Sequence, residues 1–423
     1  MKVFKFGGAS VKDAEAVKNV ASILSLFKGD KITVIISAMG KTTNSMELIA
    51  DALWEKEFNK FKELVEDRRS FHLSILKNLF EDSNHFIFGL INQLFDDLKS
   101  KVNHTVPLNY NFEYDQIVSL GEVFSTMIVA AYLEEKNIKT AWADARKLIR
   151  TNNTYREGNV DWTITASLIN QNFKPQFEEV DIQITQGFIG HTSEEFTTTL
   201  GREGSDYSAG IFAYCLDAEN VTIWKDVPGM LNADPKWFDN TIKLDKISFK
   251  EAIELAYYGA TVIHPKTIKP LQNKGIPLYV KSFIDPNAEG TIIQESTEFD
   301  HLVPSFIFKM NQLYLSITPK DFSFIVEENL SDIFKSLSEL NAKINLMQNS
   351  ALSFSVALDA DKINIEQLLN KFQNSYNVKL EKDLELVTIR HYDQPTLDRV
   401  LEGKELLIEQ KSKETVRILM RTE

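Results

Sequence analysis

Met1-Lys2-Val3-Phe4-Lys5-Phe6-Gly7-Gly8 is the segment on which the reading of the chain turns. Val and Phe at closely spaced positions make residues 1–6 a buried strand, and the glycine pair closes it. From Val11 onward the apolar residues Val11, Ala14, Val17, Ala21, Leu24 and Phe27 recur at spacings of three and four, which is the period of a helix. Residues 31–37 then carry Ile-Thr-Val-Ile-Ile, a run suited to a strand covered on both faces of a parallel sheet. Strand, glycine turn, helix and strand form a βαβ unit. It predicts an α/β fold with a mainly parallel central sheet flanked by helices.

Working outward, residues 44–103 read as mostly helical and heavily charged. Residues 115–119 read as a short strand that leads through Leu120-Gly121-Glu122 into another helix. Strands are expected at 181–185, 220–224 and 277–281, and helices at 207–216 and 248–258. A polar loop, Thr199-Leu200-Gly201-Arg202-Glu203-Gly204-Ser205-Asp206, precedes the first of these helices. The polar, glycine-bearing motifs tend to follow strands, where open α/β sheets bind ligands.

Residues 285–304 read as a boundary, because Asp285-Pro286-Asn287-Ala288-Glu289-Gly290 is rich in turn formers. We therefore expect a catalytic domain at 1–295 and a second region at 305–423. The latter alternates strand (313–317), helix (330–340), strands (343–348, 352–358), helix (363–372), strand (384–390), helix (395–401) and strands (406–410, 414–420). That pattern suits an α+β, ferredoxin-like sandwich. It holds no obvious catalytic cluster, so the expectation is a regulatory role.

The length, 423 residues, calls for two or three domains. One cysteine, Cys215, excludes an intrachain disulfide and fits a reducing compartment. The net charge of −13 makes nucleic acid and anionic lipid poor partners. No run reaches the roughly 18 apolar residues of a membrane span, and residues 1–20 lack the apolar core of a secretion signal. The expectation is a cytoplasmic protein, with neither a nucleic-acid nor a membrane partner.

The chemistry sits on three segments. At Lys5-Phe6-Gly7-Gly8, glycine backbone could approach phosphate oxygens, with Lys5 supplying charge and the N-terminus of the following helix a favourable dipole. The alternative is a plain strand-to-helix turn. In the 201–206 loop, Arg202 suits bidentate binding of a carboxylate, and Asp206 a phosphate-side or Mg²⁺ role; a surface ion pair is the alternative. Glu122 could pair with an ammonium group or merely favour a helix start. Cys215 reads as core and His264 as a turn or cap. The seven histidines show no metal-ligand spacing.

Together these residues suit phosphoryl transfer from ATP to a carboxylate. Such an acceptor is already nucleophilic at neutral pH, so the site must mainly hold two anions together and neutralise charge. Neither a Walker motif nor the protein-kinase elements occur.

The ordered set Lys5–Ser10, Ser37-Ala38-Met39-Gly40, Ser119-Leu120-Gly121-Glu122, Thr185-Gln186-Gly187-Phe188, Gly201–Asp206, Trp224–Asp234 and Gly259–Pro265 resembles aspartate kinase, in the amino acid kinase superfamily. The resemblance covers about residues 1–295. The tail is similar to paired ACT domains, here one full unit and a shortened second.

The resemblance implies ATP and Mg²⁺ as cofactors and 4-phospho-L-aspartate as product, a first step toward lysine, threonine and methionine. It places Lys5, with Gly7 and Gly8, on the transferring phosphate. Ser37, Thr43, Glu122 and Arg202 fall on aspartate, and Asp206 near the phosphates and metal. Lys225, Asp226, Asp234 and Lys236 fall on the nucleotide side, and Asn345 and Ser350 at the amino acid effector site. It also implies a homodimer.

Departures from the pattern are Thr261 for an ATP-side lysine, Lys225 for Thr, Leu231 for Tyr, Glu203 for Gly, and Asn345 for the Asp of lysine-sensitive members. Asn345 cannot pair electrostatically with lysine's ammonium, so strong lysine inhibition is not expected. The alternatives are another amino acid carboxylate kinase of this fold and a catalytically inactive amino acid sensor.

Overall fold

The structure is a computed structural model that describes residues 1–103, 109–238, 240–260, 263–321 and 323–422. Thr261 lies outside the described residues. The chain forms two compact units: Met1–Met230 with Lys243–Ile253 and Val262–Thr297, and Leu231–Ile242 with Glu254–Thr261 and Glu298–Glu423.

The first half of the catalytic sheet and its helices comprise β1 (Lys2–Phe6), α1 (Ala14–Ser25), β2 (Ile32–Ile36), α2 (Thr42–Trp54), α3 (Phe58–Leu79), α4 (Phe86–Ser100), α5 (Tyr110–Val118), α6 (Leu120–Glu135) and β3 (Thr140–Ala143). They are followed by α7 (Trp162–Leu168), β4 (Ile182–Gln186), β5 (Ile189–His191), β6 (Thr197–Thr199), α8 (Gly204–Leu216), β7 (Asn220–Lys225), β8 (Lys246–Ser248), α9 (Phe249–Tyr258), α10 (Pro265–Lys274), β9 (Leu278–Ser282) and β10 (Thr291–Gln294).

Eight strands pair in the order β3-β4-β2-β1-β7-β9-β10-β8. The six from β3 to β9 are mutually parallel, and β10 turns antiparallel against β9. Every residue of β2 and β4 is buried, as befits strands covered on both faces: β2 is nearly all apolar, whereas β4 also buries Gln183, Thr185 and Gln186. The register sets Phe6 beside Ile36 and Trp224, and Ile36 beside Gln186. The strand ends of β1, β2, β4 and β7 are therefore level, and the loops that follow them open at one edge of the sheet.

Three expectations change. Residues 115–119 are not a strand: they lie in α5 and at its end. Asn109 caps α5 by accepting from the N–H groups of Asn111 and Phe112, and Tyr114, Ile117 and Val118 are buried at helical spacing. The stretch read as a boundary contains β10, a strand of the catalytic sheet. The turn after Gly7 is a short 3₁₀ turn, and α1 starts only at Ala14, where Asp13 already caps it by accepting from Ala16 N–H. The start of α1 thus lies six residues past Gly8, with its first turn capped by Asp13. The run Tyr110–Glu135 has the length and composition of a membrane span, yet it is mostly buried inside this unit.

The second unit holds β11 (Ser305–Pro319), α11 (Glu327–Glu339), β12 (Ile344–Asn349), β13 (Phe354–Asp359), α12 (Ile365–Phe372), β14 (Tyr376–Arg390), α13 (Gln394–Leu401), β15 (Lys404–Lys411) and β16 (Thr415–Thr422). Its antiparallel sheet runs β12-β13-β11-β14-β16-β15. The strands β11, β12, β13 and β14 thus take spatial order 4-1-3-2 with α11 and α12, the ferredoxin-like arrangement. Ile333 and Leu337 of α11 and Leu368 and Phe372 of α12 bury against Leu313, Leu315, Ile317 and Val356.

Both long strands continue into a second, smaller half. There the start of β11 pairs with the end of β14, which also pairs with β16. This half has one helix, α13, packed through Leu397 and Val400 on Val387, Ile389, Val416 and Ile418. Left-handed Asn311 and Asp383 lie where the β11–β14 register shifts, between the two halves.

Candidate active site

The level strand ends of the first unit open onto a cavity of about 850 Å³. Its walls bring together seven residues singled out from the sequence: Lys5, Ser37, Thr43, Glu122, Arg202, Asp206 and Lys225. Lys5 is the penultimate residue of β1, Ser37 follows β2, Lys225 ends β7, and Arg202 and Asp206 flank the start of α8. Sheet register closes the separation of about 220 residues between Lys5 and Lys225, because β1 pairs directly with β7, and the starts of α2, α6 and α8 bring in the others.

Lys5 Nζ lies 2.6 Å from Asp206 Oδ1, and both side chains are almost fully buried. This is no surface ion pair. Removing either partner would strand a charge in a low-dielectric site. Glu122 is in the first turn of α6 and is 2 % exposed, so it is not a surface helix-start carboxylate. Its Oε1 accepts from Ala38 N–H at 3.3 Å. Its Oε2 has no hydrogen-bond partner among the described residues. Burial pushes its carboxyl up to about 8, against the opposing pull of the Ala38 N–H and the Lys5 charge. Burial also lowers Lys225, while Asp206, Glu203 and Asp226 pull it back up.

The helix that meets the cavity is α8, through Gly204, Ser205 and Asp206. Two glycines make this possible. A Cβ on Gly187 would fall 2.5 Å from Ser205 Cβ, and one on Gly204 would fall 2.6 Å from the Phe188 ring. Phe188 N–H donates to Ser208 Oγ at 2.9 Å, which fastens the end of β4 to α8. Gly8 serves packing as well: a Cβ there would lie 2.8 Å from the carbonyls of Ala38 and Gly40. Glu203 sits at the N-cap position of α8 in a left-handed conformation, φ 54°, makes no capping hydrogen bond with its side chain, and lines the cavity.

Other expected residues lie elsewhere. Gly7 and Gly8 are not among the residues that line the cavity, although a Cβ on Gly7 would lie 3.3 Å from Lys5 Nζ, and Asp226 is exposed just past β7. Asp234 and Lys236 belong to the second unit, in a turn where the Asp234 carboxylate accepts from Lys236 N–H at 2.9 Å. Asn345 is buried in the second unit. Its Oδ1 accepts from Lys309 Nζ at 2.7 Å, and its Nδ2 donates to Gln312 at 2.8 Å and Asp359 at 2.6 Å. Ser350 is exposed in the β12–β13 turn, bonded to Ser353. Cys215 is buried, and His264 caps α10 by accepting from Lys266 N–H, as read from the sequence.

Sequence reasoning missed one whole wall: Glu47, Asn111, Tyr114, Tyr155, Arg156 and Glu157. The available signal was the paired i, i+4 spacing of Glu47 with Asp51 and of Tyr110 with Tyr114. Those tyrosine hydroxyls donate to Asp51 and Glu47, so the two helix faces match.

The sequence profile of the amino acid kinase family matches residues 1–282. Lysine-sensitive aspartokinase 3 of Escherichia coli (strain K12) is 32% identical over 397 residues, spanning 92% of this chain and 86% of that protein. The chain belongs to the aspartokinase family. Chloroplastic aspartokinase 1 of Arabidopsis thaliana is 30% identical over 401 residues, covering 90% of this chain and 67% of its own. The crystal structure of E. coli aspartokinase III in complex with aspartate and ADP superimposes with a TM-score of 0.79 at 29% identity, covering 99% of this chain and 96% of that one. The aspartokinase likeness therefore includes the second unit as well as the catalytic one.

Proposed function

We propose that this aspartokinase transfers the γ-phosphoryl group of ATP to the side-chain carboxylate of L-aspartate, giving 4-phospho-L-aspartate and ADP. The observation that carries the proposal is one cavity holding the buried Lys5–Asp206 pair and the unpartnered Oε2 of Glu122. A buried carboxylate oxygen without a donor is costly unless a ligand supplies one, and an α-ammonium does so.

In this reading Glu122 takes the ammonium, Arg202 the α-carboxylate, and Ser37 and Thr43 offer hydroxyls to the amino acid. Lys5 and Lys225 face the phosphates. Gly7 and Gly8 fix the turn that aims Lys5, and Asp226 serves the nucleotide side. An oxygen of the aspartate side chain forms the new P–O bond as the bond to ADP breaks. No proton moves, so no general base is needed, and positioning with charge neutralisation supplies the catalysis.

Among the described residues no cluster of three or more His, Cys, Asp or Glu could hold a metal alone. Mg²⁺ would therefore arrive with the nucleotide, with Asp206 as its protein carboxylate, and would supply charge neutralisation on the phosphates.

Residues 305–423, which make up most of the second unit, are proposed as the regulatory region, with one complete ACT unit and a shortened second. Its 4-1-3-2 strand order and its single-helix second half support this. A homodimer and a cytoplasmic setting belong to the same proposal. With the Asn345 amide committed to Lys309, Gln312 and Asp359, we expect a weak response to lysine despite the lysine-sensitive relative.

The test is ATP- and Mg²⁺-dependent hydroxamate formation with L-aspartate, L-glutamate and N-acetylglutamate, repeated with lysine, threonine and methionine. A folded sample inactive with aspartate sinks the kinase reading. Strong inhibition by lysine alone sinks the reading of Asn345.

A further inference from the structure

Arg156 lines the active cavity but has no part in the assignments above. Its guanidinium lies 4.2 Å from the centre of the Tyr114 ring and 5.9 Å from that of Tyr110. Glu47 and Glu157 line the same cavity, yet among the described residues Arg156 makes no ion pair with any carboxylate. The guanidinium lies over the two tyrosine rings and engages the Tyr114 side chain, and its fork carries further N–H groups that a planar anion can take.

The backbone is held to put it there. Arg156 is left-handed, φ 70°, a conformation that costs a non-glycine residue and persists only where its surroundings enforce it. The enforcing group is Asp115, fully buried on α5. It accepts from Arg156 N–H at 2.9 Å, from Thr199 N–H at 2.9 Å and from Thr199 Oγ1 at 2.8 Å. Gly158 N–H then donates to the Thr199 carbonyl at 2.8 Å. A Cβ on Gly201 would meet the Arg156 carbonyl at 3.4 Å. The segments carrying Arg156 and Arg202 thus abut at the mouth of one cavity.

We propose that Arg156 is a second substrate-binding arginine, closing with Arg202 on the α-carboxylate of the amino acid. This rests on the kinase reading above. The amino acid side is favoured over the phosphate side by what Arg156 leans on. Tyr114 is bonded to Glu47, which lies one helical turn from Thr43 on α2. The phosphate-side cations, Lys5 and Lys225, project from the ends of β1 and β7 instead.

The experiment uses the full chain, Arg156→Ala and Arg156→Lys. It reads KM for aspartate and for MgATP, kcat, and direct aspartate binding by calorimetry, with thermal midpoints to confirm folding. Arg156 is exposed, so both variants fold. Arg156→Ala is expected to weaken aspartate, in KM and in binding, by about tenfold or more, while the KM for MgATP stays within about twofold. Arg156→Lys recovers little, because an ammonium lacks the planar fork. Unmodified enzyme should prefer aspartate strongly over its α-amide, and Arg156→Ala should lose most of that preference.

Unchanged aspartate binding in Arg156→Ala overturns the inference, as does a rise confined to the KM for MgATP. Turnover by the unmodified protein separately tests the kinase reading. An unmodified protein that binds aspartate without turnover still tests the clasp through the binding ratio. One that does not bind aspartate overturns both.

Discussion

Glu122 makes aspartate binding dependent on pH in a range where neither carboxylate of the amino acid titrates. The α-ammonium pairs with an ionised Glu122, and burial holds that carboxyl up to about 8. The charged group facing it is Lys5, which opposes the shift without cancelling it. At pH 6 about one molecule in a hundred carries the ionised form, and at pH 8 about half do. The KM for aspartate should therefore fall about 50-fold between pH 6 and pH 8.

The sign on folding is opposite. The native carboxyl keeps its proton up to about pH 8, whereas the unfolded one releases it near 4.5. The stability this proton contributes is complete below the unfolded value and is lost as pH rises toward 8. Glu122→Gln removes the titration, so its KM for aspartate should be high and flat with pH. The assay is initial-rate kinetics at saturating MgATP from pH 6 to 8.5, with the KM for MgATP measured alongside to separate the nucleotide's own ionisation. A KM for aspartate that is flat in the unmodified enzyme, or a slope that survives in Glu122→Gln, would refute the reasoning.

Three further outcomes follow from the same cavity. Lys5→Met should lower kcat by about 100-fold or more and lower the thermal midpoint, because Asp206 is left buried and unpaired. Lys5→Met with Asp206→Asn should restore the midpoint but not the activity, and restored activity would count against the role of Lys5. Glu203→Gly relieves a left-handed non-glycine residue and removes a carboxylate near Lys225. Chemical denaturation should show about 0.5–1 kcal/mol of added stability, and kinetics a lower KM for MgATP. Gly187→Ala drives a Cβ into Ser205 and should cost about 1–3 kcal/mol in a denaturation curve, with a fall in kcat as the first turn of α8 shifts.

The parts of the fold legible in the sequence were those with a strong period. β1, α1 and β2 could be read because continuous apolar runs and a three-four spacing each match a single geometry. Lys5, Glu122, Arg202 and Asp206 were legible as chemistry because glycine and charge punctuate the strand ends that carry them. Residues 115–119 were misread because five residues with an apolar pair fit either period. The deciding feature was the cap at Asn109, six residues upstream.

Arg156 was not legible at all. Its placement depends on Asp115 and Thr199, which lie 41 and 43 residues away and meet it only through tertiary packing. Asn345 looked like an effector contact by position. Its amide is instead occupied by three neighbours that local sequence does not reveal.

The sharing of β11 and β14 between both halves of the second unit has a consequence for how such a region can change over time. Each half borrows a strand segment that is covalently continuous with the other. The first half is one continuous run, Gln312–Leu384, set between the two stretches of the smaller half, so it could be duplicated or exchanged as a piece, whereas the smaller half, Ser305–Lys309 with Glu385–Thr422, closes only around it.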